Sequence, residues 1–159
     1  MLRIRKILAP TDLSELSQDG VRLALEIAKS RDAEVTIYHV VESNGVLHGE
    51  FVKYPEAERS DLIAKNKKLL ATFLRERFSD LFPAVKISQA VEVGVPYRKI
   101  LDRATKENAD LIVMSTHGRT GLLHCLIGSV AEMVVRLAAC PVLSVQPTKQ
   151  RREMVTEAA

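Results

Sequence analysis

Five short apolar segments, separated by segments of helical periodicity, constrain the fold of this chain more than any other feature. The apolar segments are residues 4–9, 34–41, 85–93, 110–115 and 142–145. Strands that alternate with helices imply right-handed βαβ crossovers, which build a parallel sheet covered by helices on both faces. The pattern therefore predicts one open, five-stranded parallel α/β sandwich.

Four helices are predicted between these strands. The first is capped by Ser14, the second spans residues 56–78, the third follows Pro96, and the fourth runs from Ser129 to about residue 138. Residues 42–55 show no clear period, so we predict a long loop there. Loops of this length are uncommon in compact domains and often form lids or binding elements.

Domain organisation follows from the absence of a linker, a repeat or a shift in composition along the chain. We predict one domain over residues 1–146 and a polar, disordered tail over residues 147–159. The N-terminal apolar run is too short for a signal peptide or a membrane-spanning helix. The sequence therefore predicts a cytoplasmic protein that does not bind membranes and keeps Cys125 and Cys140 reduced.

Charge argues against a nucleic-acid partner. The formal net charge is only +3, and the basic residues are interspersed with acidic ones. Two basic clusters, at residues 3–6 and 149–152, lack the interleaved aromatic side chains on which single-stranded nucleic acid stacks. We interpret both clusters as solvated chain ends.

Polar, flexible groups follow two of the predicted strands. Strand one ends in Pro10-Thr11-Asp12, and strand four ends in Ser115-Thr116-His117-Gly118. Ligands of open parallel sheets bind beyond the carboxyl ends of the strands, where the strand order reverses. We therefore expect strands one and four to lie side by side and to flank a binding crevice.

The start of the fourth helix has the features of a phosphate site. Gly128 stands directly before it, and the first N–H groups of a helix lack acceptors within the helix and carry its positive dipole end. The spacing from Gly118 to Gly128-Ser129 is neither the Walker pattern nor the dinucleotide-binding pattern. A glycine-containing loop capped by Ser129 is the structural alternative, and Glu132 would repel a phosphate if it pointed inward.

Several segments resemble the universal stress protein family. They are Ile7-Leu8-Ala9-Pro10-Thr11-Asp12, Ile37-Tyr38-His39-Val40-Val41, Ser115-Thr116-His117-Gly118-Arg119-Thr120-Gly121, Gly128-Ser129-Val130-Ala131-Glu132 and Cys140-Pro141-Val142-Leu143-Ser144-Val145. The resemblance is to the nucleotide-binding branch, whose pattern is Gly-x2-Gly-x9-Gly-Ser/Thr. Ser115 replaces the first glycine of that pattern, a change that affects the backbone near the expected ribose position.

The resemblance implies a Rossmann-like fold of the adenine nucleotide alpha hydrolase type, with strand order 3-2-1-4-5. It implies that ATP, ADP or AMP is bound, with Mg²⁺ reaching Asp12 through the nucleotide. The base and ribose would contact Pro10, Thr11, Asp12, Val40, Met114 and Ser115. The phosphates would contact His117, Gly118, Gly128, Ser129, Val130 and Ala131. For Asp12, a turn or capping role is the alternative.

Three functions are compatible with these features. The first is a stress-response regulatory module that binds adenine nucleotide and forms a homodimer through the last strand, Pro141 to Val145. The second is a nucleotide-independent dimeric scaffold, and the third is a slow ATPase, for which the sequence offers no clear catalytic base. His39 is predicted to be structural, and the adjacent His124 and Cys125 are too few for a metal site.

Overall fold

The computed structural model describes residues 3–42, 46–47, 50–51, 54–117 and 128–148. Five strands form one sheet: β1 (Lys6–Pro10), β2 (Glu34–Glu42), β3 (Lys86–Gly94), β4 (Leu111–Ser115) and β5 (Val142–Val145). Their order is β3-β2-β1-β4-β5, and every neighbouring pair is parallel. The predicted strand order is confirmed.

Four helices connect the strands: α1 (Gln18–Arg31), α2 (Glu56–Phe78), α3 (Pro96–Glu107) and α4 (Ser129–Leu137). From β1 the chain moves outward to β2 and β3, returns to β4 on the other side of β1, and moves outward again to β5. Because the crossovers are right-handed, this reversal places α1 and α2 on one face and α3 and α4 on the other. The switch point lies between β1 and β4.

Side chains that alternate along the strands build a separate core layer on each face. Along β4, Leu111 and Val113 pack in the layer that contains α1 and α2, and Ile112 and Met114 pack in the layer that contains α3 and α4. All five residues of β4 are buried. A strand covered on both faces must be apolar throughout, which explains the continuous hydrophobic run seen in the sequence.

Two boundaries differ from the sequence-based expectation. β1 begins at Lys6 rather than Ile4, and the Asp110 carboxylate accepts the N–H groups of Arg5 and Lys6, at 2.8 Å and 3.0 Å, beside this start. Ser14 caps a short 3₁₀ turn, Glu15–Ser17, and α1 starts only at Gln18. The Ser14 hydroxyl accepts a hydrogen bond from the Ser17 N–H at 3.2 Å.

The connection from β2 to α2 contains a short hairpin that the sequence analysis missed. Val46–Leu47 pairs antiparallel with Glu50–Phe51. A ladder of two residues per strand is too short to produce a readable alternation of polar and apolar residues. The predicted loop therefore holds a local element of secondary structure.

The chain beyond β5 returns to the start of α1. Pro147 is buried, and the Thr148 N–H donates to Asp19 Oδ2 at 2.6 Å. The first two residues of the predicted tail are thus packed, and residues 149–159 lie outside the described part of the chain. None of the described helices is long and apolar enough to cross a membrane.

Candidate functional site

A cavity of about 430 Å³ opens at the carboxyl edge of the sheet, over the switch point between β1 and β4. Its volume lies within the usual range for small-molecule sites. The turn after β1, the exit of β4 and the start of α4 form its walls, and the end of β2 contributes a further side. The place where ligands bind to open parallel sheets is therefore also the place where this molecule has a cavity.

Every predicted binding residue that the structure describes lines this cavity. These residues are Pro10, Thr11, Asp12, Val40, Met114, Ser115, His117, Gly128, Ser129, Val130 and Ala131. Gly118, the remaining predicted residue, lies outside the described residues. The structure therefore brings together residues that are far apart in sequence, and the ligand that they contact remains a prediction.

Asp12 has the turn-forming role that was the alternative in the sequence analysis, and its contact with a ligand stays a prediction. Its Oδ1 accepts the N–H of Ser14 at 3.0 Å, which is a turn-forming bond, and the residue also lines the cavity. Between them, Leu13 has a φ of 64°, in the left-handed region. The local turn thus fixes the carboxylate at the edge of the cavity.

Ser115, which replaces the first glycine of the family pattern, directs its hydroxyl toward α1. Ser115 Oγ accepts the N–H of Gly20 at 3.1 Å, near the start of that helix. A Cβ on Gly20 would lie 2.6 Å from the Ser115 backbone nitrogen, so α1 packs directly against the end of β4. The serine at position 115 therefore joins the start of α1 to the end of β4, which borders the cavity.

Gly128 is required by a close approach of two backbone segments. Its N–H donates to the Thr116 carbonyl oxygen at 2.7 Å, and a Cβ at this position would lie 2.9 Å from the same oxygen. This bond joins the exit of β4 to the start of α4. It places the amino terminus of α4 beside His117, which is buried and whose Nδ1 lies 2.9 Å from Thr116 Oγ1.

The first amides of α4 lie at the cavity and have no acceptors within the helix. The first bond within the helix runs from the Glu132 N–H to the Gly128 carbonyl, at 2.9 Å. The N–H groups of Ser129, Val130 and Ala131 therefore have no acceptor within the helix, and all three residues line the cavity. Glu132 is exposed and is not part of the cavity wall, so its charge does not occupy this position.

Tyr38 lines the cavity and belongs to the core layer that contains α3. It is fully buried, the Arg103 guanidinium lies 5.5 Å from the centre of its ring, and its hydroxyl has no hydrogen-bond partner among the described residues. Burial, followed by the negative charge of Glu92, raises the pKa of the Tyr38 hydroxyl. Burial opposes ionisation of Glu92 as well, but its ion pairs with Lys99 and Arg103 outweigh this and lower the pKa of the carboxyl.

Sequence reasoning missed several wall residues: Ser17, Tyr38, His39, Val41, Glu42, Asn66, Pro96, Ile100 and Thr116. His39 was interpreted as structural; it is buried, and its Nδ1 lies 2.8 Å from the Thr11 carbonyl oxygen, yet it also borders the cavity. Its place directly before Val40 was the available signal. Asn66 and Ile100 come from the sides of helices, where no motif marks them.

The remaining candidate residues do not form a second site in the described part of the chain. His48, His124 and Cys125 lie outside the described residues. Cys140 is half-buried and packs against the layer that contains α3 and α4. Among the residues that the structure describes, no three His, Cys, Asp or Glu side chains are grouped as metal ligands would be.

The fold and the cavity define a Rossmann-like α/β protein with its candidate ligand site at the switch point of the strand order. The chain matches the model of the universal stress protein family over residues 3–146. It is 38% identical over 148 residues to a universal stress protein of Methanocaldococcus jannaschii, and this alignment covers 92% of this chain and 84% of that relative. The chain belongs to the universal stress protein family.

Solved structures of this family share the fold. The universal stress protein UspA from Lactobacillus plantarum matches with a TM-score of 0.75 and 25% identity, over 91% of this chain and 99% of that one. A universal stress protein in complex with cAMP matches with a TM-score of 0.70 and 23% identity, over 92% of this chain and 99% of that one. A universal stress protein from Archaeoglobus fulgidus in complex with dAMP matches with a TM-score of 0.59 and 21% identity, over 92% of this chain and all of that one (100%).

Proposed function

We propose that this protein is a regulatory module that binds an adenine nucleotide, ATP, ADP or AMP, in the cavity at the carboxyl edge of its sheet. The observation that carries the proposal is the amino terminus of α4, where three residues that line the cavity beside Gly128 have N–H groups without an acceptor in the helix. Two proteins of the same fold have been solved in complex with adenine nucleotides, cAMP and dAMP. Their ligands support an adenine nucleotide as the occupant.

The composition of the described cavity wall is more typical of a binding site than of a site of phosphoryl transfer. The described wall residues include no Lys or Arg, so a phosphate there would depend on backbone amides, the Ser129 hydroxyl and His117. Catalysts of phosphoryl transfer add cationic side chains and metal ions that stabilise the transferred group. Mg²⁺ would enter with a di- or triphosphate, and Asp12 supplies the carboxylate oxygen that such an ion prefers.

Calorimetric titration tests the proposal. We expect saturable heats with ATP, ADP or AMP at micromolar to millimolar ligand, measured with and without magnesium, and weaker binding of GTP as the control nucleotide. The absence of measurable heat with all three adenine nucleotides, in either buffer, would remove the proposal and leave the dimeric scaffold as the alternative.

We also propose that two copies of the chain pair through β5, over residues Pro141 to Val145. In the described sheet β5 is an edge strand that pairs only with β4, and Leu143 on it is 38% exposed. Val135 and Leu137 on neighbouring α4 are also exposed. An exposed apolar edge strand is a natural surface for pairing with a second chain.

Light scattering at tens of micromolar protein tests the dimer. We expect the mass of two chains for the unmodified protein and of one chain for Leu143→Glu, because a carboxylate at the paired edge would be buried without a partner. Leu69→Glu is the matched control, since Leu69 is also an exposed leucine, 48% exposed, but lies on α2. A single-chain mass for the unmodified protein would contradict the proposal.

A further inference from the structure

The turn between β1 and α1 contains a chain of hydrogen-bonded hydroxyl groups. The donor in each bond follows from the fact that a hydroxyl has one proton and a carbonyl oxygen can only accept. Ser17 Oγ donates to the Ser14 carbonyl at 2.8 Å, which uses its single proton. The 2.7 Å contact between Thr11 Oγ1 and Ser17 Oγ must therefore have Thr11 as the donor. Leu13 N–H in turn donates to Thr11 Oγ1 at 3.0 Å. The chain runs from Leu13 through Thr11 and Ser17 to Ser14.

All the polar groups of Thr11 therefore make hydrogen bonds within the protein. Its N–H donates to the Tyr38 carbonyl at 2.9 Å, and its carbonyl oxygen accepts from His39 Nδ1 at 2.8 Å. The side chain is buried with the rest of the residue, which is 6% exposed. Although Thr11 lines the cavity, its hydroxyl proton is not available to a ligand.

The hydroxyl chain stabilises the backbone conformation of the turn that contains Asp12. Leu13 occupies the left-handed region, which disfavours any residue with a side chain. Two bonds keep it there: its own N–H to Thr11 Oγ1, and the Ser14 N–H to Asp12 Oδ1. Without the Thr11 hydroxyl, Leu13 is free to relax toward an ordinary conformation, and the adjacent Asp12 carboxylate moves with it.

We propose that Thr11 and Ser17 are positioning residues, whose hydroxyl chain sets the affinity of the cavity by fixing the Asp12 carboxylate toward a hydrogen-bond-donating group of the ligand. This inference rests on the proposed function, because it assigns the residues that orient one wall of the same site. It separates Asp12, which contacts the ligand, from Thr11, which acts through Asp12.

The first test compares two substitutions of Thr11 by calorimetry with AMP. Thr11→Val replaces the hydroxyl by a methyl group of similar size, and we expect about a tenfold loss of affinity, the usual effect of one misplaced hydrogen bond. Thr11→Ser retains the hydroxyl and should restore binding to within about threefold of the unmodified protein. Ser17→Ala breaks the chain at its other end and should resemble Thr11→Val.

A double-mutant cycle separates positioning from direct contact. In the Asp12→Ala background, Thr11→Val should change the AMP affinity by less than about twofold, because the group that Thr11 positions is gone. An equal loss in both backgrounds would show that Thr11 acts on the ligand without Asp12. Unchanged affinity in Thr11→Val would likewise overturn the proposal.

A ligand-free readout keeps this inference distinguishable from the proposed function. The Ser14 amide donates its hydrogen bond to Asp12 Oδ1. This amide should exchange its hydrogen about tenfold faster in Thr11→Val than in the unmodified protein or in Thr11→Ser. The amides of β4 serve as the internal control for global stability. Unchanged exchange at Ser14 would overturn the positioning role, whereas an unmodified protein that binds no adenine nucleotide but shows this exchange pattern would refute only the proposed function.

Discussion

Gly20→Ala is expected to destabilise the fold by about 2–3 kcal/mol, although alanine is the better helix former. Gly20 lies in the first turn of α1, and a Cβ there would approach the Ser115 nitrogen to 2.6 Å and the Met114 carbonyl carbon to 2.9 Å. Both atoms are backbone in the buried end of β4, so neither can rotate away. The helix or the strand must shift, and the Gly20–Ser115 hydrogen bond would be disrupted.

Urea unfolding followed by circular dichroism measures this loss. Glu26→Ala is the matched control, because Glu26 is an exposed residue of the same helix, and we expect its effect to stay within about 0.5 kcal/mol. A Gly20→Ala protein as stable as the control would mean that α1 does not pack on β4 as closely as described.

Gly128→Val is expected to lower the affinity for adenine nucleotide by about a hundredfold or more, which corresponds to the loss of roughly two hydrogen bonds to a charged phosphate. The added Cβ would lie 2.9 Å from the Thr116 carbonyl oxygen and would displace the start of α4. The branched side chain would also occupy the approach to the first amides of α4, which have no acceptor within the helix.

Ser129→Ala is the control for this substitution. It removes a hydroxyl donor but leaves the backbone amides in place, so we expect a loss of only about tenfold or less. Calorimetry measures both affinities, and thermal unfolding establishes that each variant is folded. Wild-type affinity in a folded Gly128→Val protein would show that the phosphates do not lie at the amino terminus of α4.

The fold could be predicted because each element carries its own local signal. The bounds of α2 agree with the prediction, since Pro55 precedes a long helical period, and β5 starts where Pro141 ends the preceding segment. The order of the strands needed the family resemblance in addition. At the start of β1, where Asp110 accepts the N–H of Arg5, the observed boundary lies two residues after the predicted one.

The site could be predicted where it follows strand ends and where α4 begins directly after a glycine. Thr11, Asp12 and His117 stand at such exits, and the structure brings them to one cavity. The bond between Ser115 and Gly20 could not be predicted, because the two residues are distant in sequence and a serine hydroxyl has many available partners. Asn66 and Ile100 reach the wall from within α2 and α3, where no sequence pattern marks them.

The most direct test of the nucleotide site is a titration of ¹⁵N-labelled protein with adenosine, AMP and ATP, followed through the backbone amide resonances. The largest shifts are expected at the amides of Ser129, Val130 and Ala131, with further shifts at Asp12 and Val40, and ATP should move the α4 amides more than adenosine does. Saturable shifts that leave these three amides unmoved, or no shifts at all, would contradict the account.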